Sequence, residues 1–192
     1  MDRHSQITYW CHEIIKSQAV RDGIYIDGTM GKGNDTKLFC ELAGDTGQVL
    51  AFDIQEEAME KTERFLKKDN TYNRMGNRLR LILDGHEHMD QYAETETVDV
   101  ICFNFGYLPG GDHTICTKPE TSIEAIGKGL KLLKSGGMMS LCIYSGGDTG
   151  FAEKNEILAY VRKLSAKEYT VIVNEYYNRE NDPPMPVFIF KT

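Results

Sequence analysis

The sequence predicts an α/β fold, and three observations carry that prediction. Short apolar runs rich in β-branched and aromatic residues alternate along the chain with amphipathic helical stretches, the pattern of strands joined by helical crossovers. The first such unit contains a loop with three glycines, Gly28, Gly31 and Gly33, followed by an acidic residue at the end of the next strand. The last two strand-like runs have no helix between them, so they must pair antiparallel. A Rossmann-like, mostly parallel seven-stranded sheet with an antiparallel last strand satisfies all three.

The segment from Ile24 to Asp53 organises the chain. Ile24-Tyr25-Ile26 suits a strand buried in a parallel sheet. Its glycine loop lets backbone approach a ligand closely. Asn34 to Ala43 places Leu38, Phe39 and Leu42 at helical spacing, and Gly44 stands where a helix stops. Asp53 ends the strand Val49-Leu50-Ala51-Phe52, 20 residues after Gly33, where an acidic residue meets a ribose in nucleoside-binding βαβ units. Thr36 stands where a dinucleotide fingerprint needs its third small residue, and Asp27 ahead of the loop would repel a pyrophosphate. A carboxylate at Asp27 suits the ammonium of an amino acid instead. S-adenosylmethionine has both an amino-acid end and a ribose.

The remaining elements follow in order. Ile7, Trp10, Cys11, Ile14 and Ile15 predict an amphipathic first helix that packs on the sheet or lids the ligand, with Trp10 in its packed face; His4 and His12 have no evident partners. A helix over Glu56 to Lys68 buries Ala58, Thr62, Phe65 and Leu66, and Asp69 to Asn77 reads as a loop. Leu79 to Leu83 is the third strand; Asp84 or His86 in the loop after it could read an adenine. Val98 to Phe103 is the fourth, leading into the glycine-rich, apolar loop Asn104 to Asp112. A helix opened by a Thr121/Glu124 capping box runs to Gly136-Gly137. Met138 to Tyr144, a helix from Glu153 to Lys167, and strands Thr170 to Tyr176 and Pro186 to Lys191 complete a single domain.

Composition narrows the function classes. The 192 residues are 41% hydrophobic and 27% charged, the balance of a globular protein with its own core. A net charge of −7 argues against indiscriminate nucleic-acid binding, so an RNA partner must meet a local basic patch. Five cysteines without a C-x-x-C pair read as reduced thiols. With no signal peptide and no membrane-spanning run, a cytoplasmic protein that binds neither membrane nor metal is expected, and a homodimer is left open.

Five motifs together resemble a bacterial family of small class I methyltransferases long labelled rRNA methylases. They are Asp27 to Thr36, Phe52 to Gln55, Asp84 to Glu87, Asn104 to Asp112 and Thr117 to Thr121. Members of that family are understood as tRNA methyltransferases. They convert 5-aminomethyl-2-thiouridine at the wobble position to its 5-methylaminomethyl form. The resemblance implies S-adenosylmethionine as cofactor, held by Asp27, Gly28, Thr29, Gly31, Gly33, Asn34, Asp35, Thr36, Asp53, Gln55, Gly85, His86 and Asn104. It implies a tRNA anticodon stem-loop as partner, met by Phe105, Gly106, Tyr107, Leu108, Pro109 and Gly110; Lys118, Asn178, Arg179 and Asn181 are either RNA contacts or solvated loop residues. The family pattern has Tyr-His-Gly where this chain has Tyr144-Ser145-Gly146.

By analogy with amino-methyltransferases, Asn104 and the Phe105 carbonyl would accept hydrogen bonds from the target amine while Tyr107 packs on the base. An alkylamine is mostly protonated at neutral pH, so a group must take its proton; Asp112 is a candidate and bulk water the alternative. A carbon target would require a thiolate, yet Cys102 and Cys142 fall in predicted strands and Cys116 has no partner evident from sequence. Methylation of rRNA or of a small-molecule amine, and a nucleoside-binding regulatory module, are the competing readings.

Overall fold

The computed structural model describes residues 6–106, 117–144, 147–180 and 182–192. The elements are α1 (Ile7–Gln18), β1 (Ile24–Asp27), α2 (Asn34–Leu42), β2 (Gln48–Asp53), α3 (Glu56–Lys67), α4 (Thr71–Met75), β3 (Leu79–Leu83), β4 (Val98–Phe105), α5 (Pro119–Leu132), β5 (Leu133–Ile143), α6 (Gly147–Val161), β6 (Tyr169–Val173) and β7 (Met185–Lys191). The seven strands form one sheet in the order β3-β2-β1-β4-β5-β7-β6. β1 to β5 pair in parallel, and β7 runs antiparallel to both β5 and β6.

Alternating residues of the central strands feed two apolar layers. Tyr25, Val49, Val100 and Cys102 pack with Cys11 and Ile15 of α1, Leu38 and Phe39 of α2, Leu66 of α3 and Met75 of α4. Ile26, Phe52, Ile101 and Phe103 pack on the other face with Ala125 and Ile126 of α5 and Ile157 of α6. The strand order reverses between β1 and β4, so a crevice opens beyond their carboxyl ends. No described helix is long and apolar enough to cross a membrane.

Several predicted boundaries differ for physical reasons. Residues 69–77 contain α4, whose Thr71 and Met75 are buried; two apolar contacts in a polar stretch gave no periodicity to detect. β4 runs on to Phe105, so Asn104 and Phe105 belong to the strand. α5 starts with Pro119 at its first turn, and Thr121 Oγ1 donates back to the Lys118 carbonyl, so the capping box is absent. It ends at Leu132, because Leu133 is buried and pairs with Val98. β6 stops at Val173, and α6 covers Gly147–Val161 rather than starting at Glu153 and ending at Lys167. Trp10 is 43% exposed, edge-on to Tyr9, rather than packed in the core.

Candidate active site

Asp27, last residue of β1, lies fully buried beneath the glycine loop. It accepts hydrogen bonds from Thr36 Oγ1 (2.6 Å) and the Thr29 amide (3.2 Å), tying the start of α2 to the sheet. Burial, then the neighbouring Asp35 carboxylate, push its carboxyl well above the usual range. Asp27, Asp35 and Cys102 bring their polar atoms within 4.8 Å of one another. Of the three, Asp35 in the first turn of α2 is the one that lines a cavity.

The loop itself is held from β2. Asp53 accepts the Gly31 amide (3.0 Å) on one oxygen and the Gln55 amide (3.0 Å) on the other. Gly33 has φ of +81°, and a Cβ there would meet Thr62 at 2.8 Å, so glycine is required both by backbone and by space. At Gly28 a Cβ would lie 2.3 Å from the Phe103 ring. Asn34, Asp35 and Thr36 form the first turn of α2.

The loop after β3 folds into a 3-10 turn from His86 to Gln91. His86 Nδ1 donates to the Gly28 carbonyl (3.1 Å), and its ring stands edge-on to Phe103 and Phe105. That bond leaves Nε2 as an acceptor, buried and without a partner among the described residues. Burial lowers the pKa of the ring, favouring the neutral form. Asp84 instead accepts from the Gly85 amide and Tyr92 Oη and pairs with His88, so both its oxygens are engaged internally.

At the end of β4 the Asn104 amide donates to Thr29 Oγ1 (2.6 Å), and Asn104 Nδ2 donates to Asp35 Oδ2 (2.6 Å). The side-chain carbonyl of Asn104 is left as an acceptor. The Phe105 carbonyl accepts the Tyr144 amide (3.0 Å). Gly106 exchanges bonds with Thr117, accepting from its amide (3.0 Å) and donating to its Oγ1 (2.8 Å), which pins the two ends of the intervening segment together. Thr117 Oγ1 and Ser122 Oγ donate in turn to Glu153 (2.8 and 2.7 Å), a buried carboxylate of α6.

A cavity of about 840 Å³ adjoins these groups, with Thr29, Gly31, Asn34, Asp35 and Asn104 on one side. α1 adds Thr8, His12 and Lys16 to the lining. His12 Nε2 forms a short hydrogen bond with Asp35 Oδ1, a pairing invisible in sequence because the partners are 23 positions apart on two helices with β1 between them. Tyr144 also lines the cavity and was not expected there.

The predicted residues fall into three groups. Asp27 to Thr36, Asp53, Gln55, Gly85, His86, Asn104, Phe105 and Gly106 gather at the carboxyl ends of β1 to β4 and in the loops that follow them. Lys118 and the exposed Asn178 and Arg179 lie farther along. Their segments reach the same end of the sheet, since the β6–β7 connection follows Val173 and precedes Met185, the partner of Ile143. Arg179 stacks 5.1 Å from the Tyr176 ring centroid. Tyr107, Leu108, Pro109, Gly110 and Asp112 lie outside the described residues, as do Ser145 and Asn181.

Sheet order and this constellation define a class I methyltransferase fold with a nucleoside-type crevice. Comparison with known proteins agrees. A family model described as "Putative rRNA methylase" matches residues 49–190. A crystal structure of a "putative rRNA-methylase" from Clostridium thermocellum superposes with a TM-score of 0.90 at 40% identity, covering 95% of this chain and 96% of that one. A "putative methyltransferase" from Streptococcus mutans, solved in complex with SAH, gives 0.86 at 34% identity over 98% and 99% of the two chains. A chloroplastic "tRNA (mnm(5)s(2)U34)-methyltransferase" of Arabidopsis thaliana is 31% identical over 185 residues, 93% of this chain and 67% of that one. The chain spans only 22% of the "Ribosomal RNA small subunit methyltransferase H" of Neisseria gonorrhoeae, at 33% identity over 69 residues.

The chain belongs to this rRNA-methylase family. It is an S-adenosylmethionine-dependent methyltransferase. Its residues fit that cofactor: the Asp35 carboxyl on the cavity wall suits an ammonium, and the buried His86 Nε2 lacks a donor among the described residues.

Proposed function

We propose that the protein acts on tRNA. In this reading it N-methylates the aminomethyl group of 5-aminomethyl-2-thiouridine at wobble position 34 to give the 5-methylaminomethyl form. The observation that carries the reading is Asn104 at the end of β4, its amide nitrogen tied to Asp35 and its carbonyl left to accept from an amine beside the cavity. The activity for which the Arabidopsis relative is named, a protein aligned over most of this chain, supports the substrate.

The cofactor supplies an electrophilic methyl group on a sulfonium. The protein must then hold an amine lone pair in line with it. Asn104 orients the amine, and the Phe105 carbonyl, with one lone pair engaged by Tyr144, offers a second acceptor. Asp53 and His86 take the nucleoside end of the cofactor, and Asp35 takes the ammonium of its amino-acid end, while the Gly31 and Gly33 amides, engaged by Asp53 and the Met30 carbonyl, hold the loop in shape. Tyr107 packs on the base, while Lys118, Asn178 and Arg179 meet the RNA backbone. Cys102 and Cys142 do not favour a thiolate route to carbon: burial pushes Cys102, and a hydrogen bond with Cys11 together with burial pushes Cys142, well above the ordinary thiol pKa, while Cys116 lies outside the described residues.

Mass spectrometry of tRNA nucleosides from cells with and without the gene tests the assignment. Loss of the 5-methylaminomethyl nucleoside with build-up of its aminomethyl precursor is expected. Unchanged tRNA, with a methyl mark missing from rRNA or from a small amine, would overturn it.

A further inference from the structure

Methylation of an alkylamine releases a proton, and the groups around Asn104 offer a place for it. The target arrives as R–CH2–NH3⁺ and must become R–CH2–NH2 before its lone pair can react. The amine then forms the N–CH3 bond as the S–CH3 bond breaks with its electron pair going to sulfur. The product leaves as R–CH2–NH2⁺–CH3, so one proton is released per turnover.

Three side chains from three elements form a hydrogen-bonded chain on the cavity wall. Asn104 of β4 donates to one oxygen of Asp35 on α2, and His12 of α1 meets the other. A carboxylate fixed on two sides holds an imidazole in one orientation and one tautomer. With Nε2 turned to Asp35, Nδ1 is the ring atom that remains to accept a proton. The His12 side chain keeps 23% of its surface exposed, so a proton taken up there has a way out to solvent. Tyr9 and the paired Glu13 and Lys16 of α1, Tyr144 just after β5 and Lys32 of the glycine loop are the other titratable groups along the same cavity. Asp27 stands behind Asp35.

We propose that His12, held by Asp35, is the general base that takes the proton from the target ammonium beside Asn104. The role rests on the amine-methylation reading above. It gives α1 a chemical task besides packing, and it supplies a base from within the described fold.

The test pairs kinetics with spectroscopy on the full chain. His12→Gln keeps an N–H for Asp35 but cannot accept a proton. At neutral pH and saturating cofactor its single-turnover rate on tRNA bearing 5-aminomethyl-2-thiouridine should fall roughly 100-fold, the scale of a lost general base. SAH affinity by calorimetry should stay within about two-fold, and the rate deficit should shrink as pH rises and the free amine becomes abundant. Nitrogen NMR of the SAH-bound wild type, assigned with His12→Asn, should show His12 protonated on Nε2 and bare on Nδ1. A wild-type rate, a deficit that is the same at every pH, or an Nδ1–H tautomer would overturn the role. Loss of SAH affinity with an unchanged saturated rate would make His12 a cofactor ligand instead. Wild-type enzyme inactive on this RNA would overturn the substrate reading, and the base assignment with it; an active wild type matched by His12→Gln would overturn the base assignment alone.

Discussion

Asp27 shows how one residue couples the fold to the site. Its carboxyl is pushed up to about 7 because burial penalises its charge and Asp35 stands close by. Between its ordinary value near 4 and neutrality, the folded cofactor-free protein therefore retains a proton that the unfolded chain has released. Raising the pH through that window costs stability, and the cost is complete above it. Urea denaturation should show the wild type losing ground to Asp27→Asn from pH 4 to 7, with no further change above; a constant difference across that range would contradict the assignment. The sequence placed Asp27 correctly at the end of β1 but spoke of it as a group facing an ammonium. In the fold it is covered, held by Thr36 and Thr29, and Asp35 lines the cavity. Burial depth behind a loop is set by the third dimension and leaves no mark on residue spacing.

At the scale of elements, the parts with a strong apolar period were legible and those fixed by tertiary contacts were not. α2 and β2 follow the boundaries that Leu38, Phe39 and Gly44 suggested. α4, the early end of α5 and the exposed Trp10 did not, since each depends on what packs across from it. Glu153 belongs to this second kind. Read alone, it is an ordinary helical glutamate; in the structure its buried carboxylate receives the hydroxyls of Thr117 and Ser122 and so joins α6 to the Gly106–Thr117 junction. Glu153→Ala leaves two hydroxyls without their acceptor and should lower the unfolding free energy by about 1 to 3 kcal/mol, measured by urea denaturation. Glu153→Gln, which keeps an acceptor, should lose less. Equal stability of all three proteins would show that the clamp contributes nothing.

For the whole molecule, a net charge of −7 constrains how RNA can be held. With Lys118 and Arg179 as the proposed phosphate contacts, affinity for an anticodon stem-loop should fall only modestly with salt. Lys118→Ala and Arg179→Ala should each reduce the slope of log K against log salt by about one at most. A steep dependence, typical of a broad basic surface, would contradict this. The carboxyl-end clustering of the loops was readable from sequence because parallel strand order and glycine placement encode it, whereas the wall formed by α1, including His12, required knowing where that helix docks.

Single-turnover methylation of tRNA carrying 5-aminomethyl-2-thiouridine, with unmodified tRNA as control, tests the central claim most directly. Wild type should methylate only the modified tRNA, and Asn104→Ala should slow the reaction roughly 100-fold or more while SAH affinity stays close to wild type, as expected for a misplaced reacting group. Equal methylation of the unmodified control, or a wild-type rate in Asn104→Ala, would contradict the account.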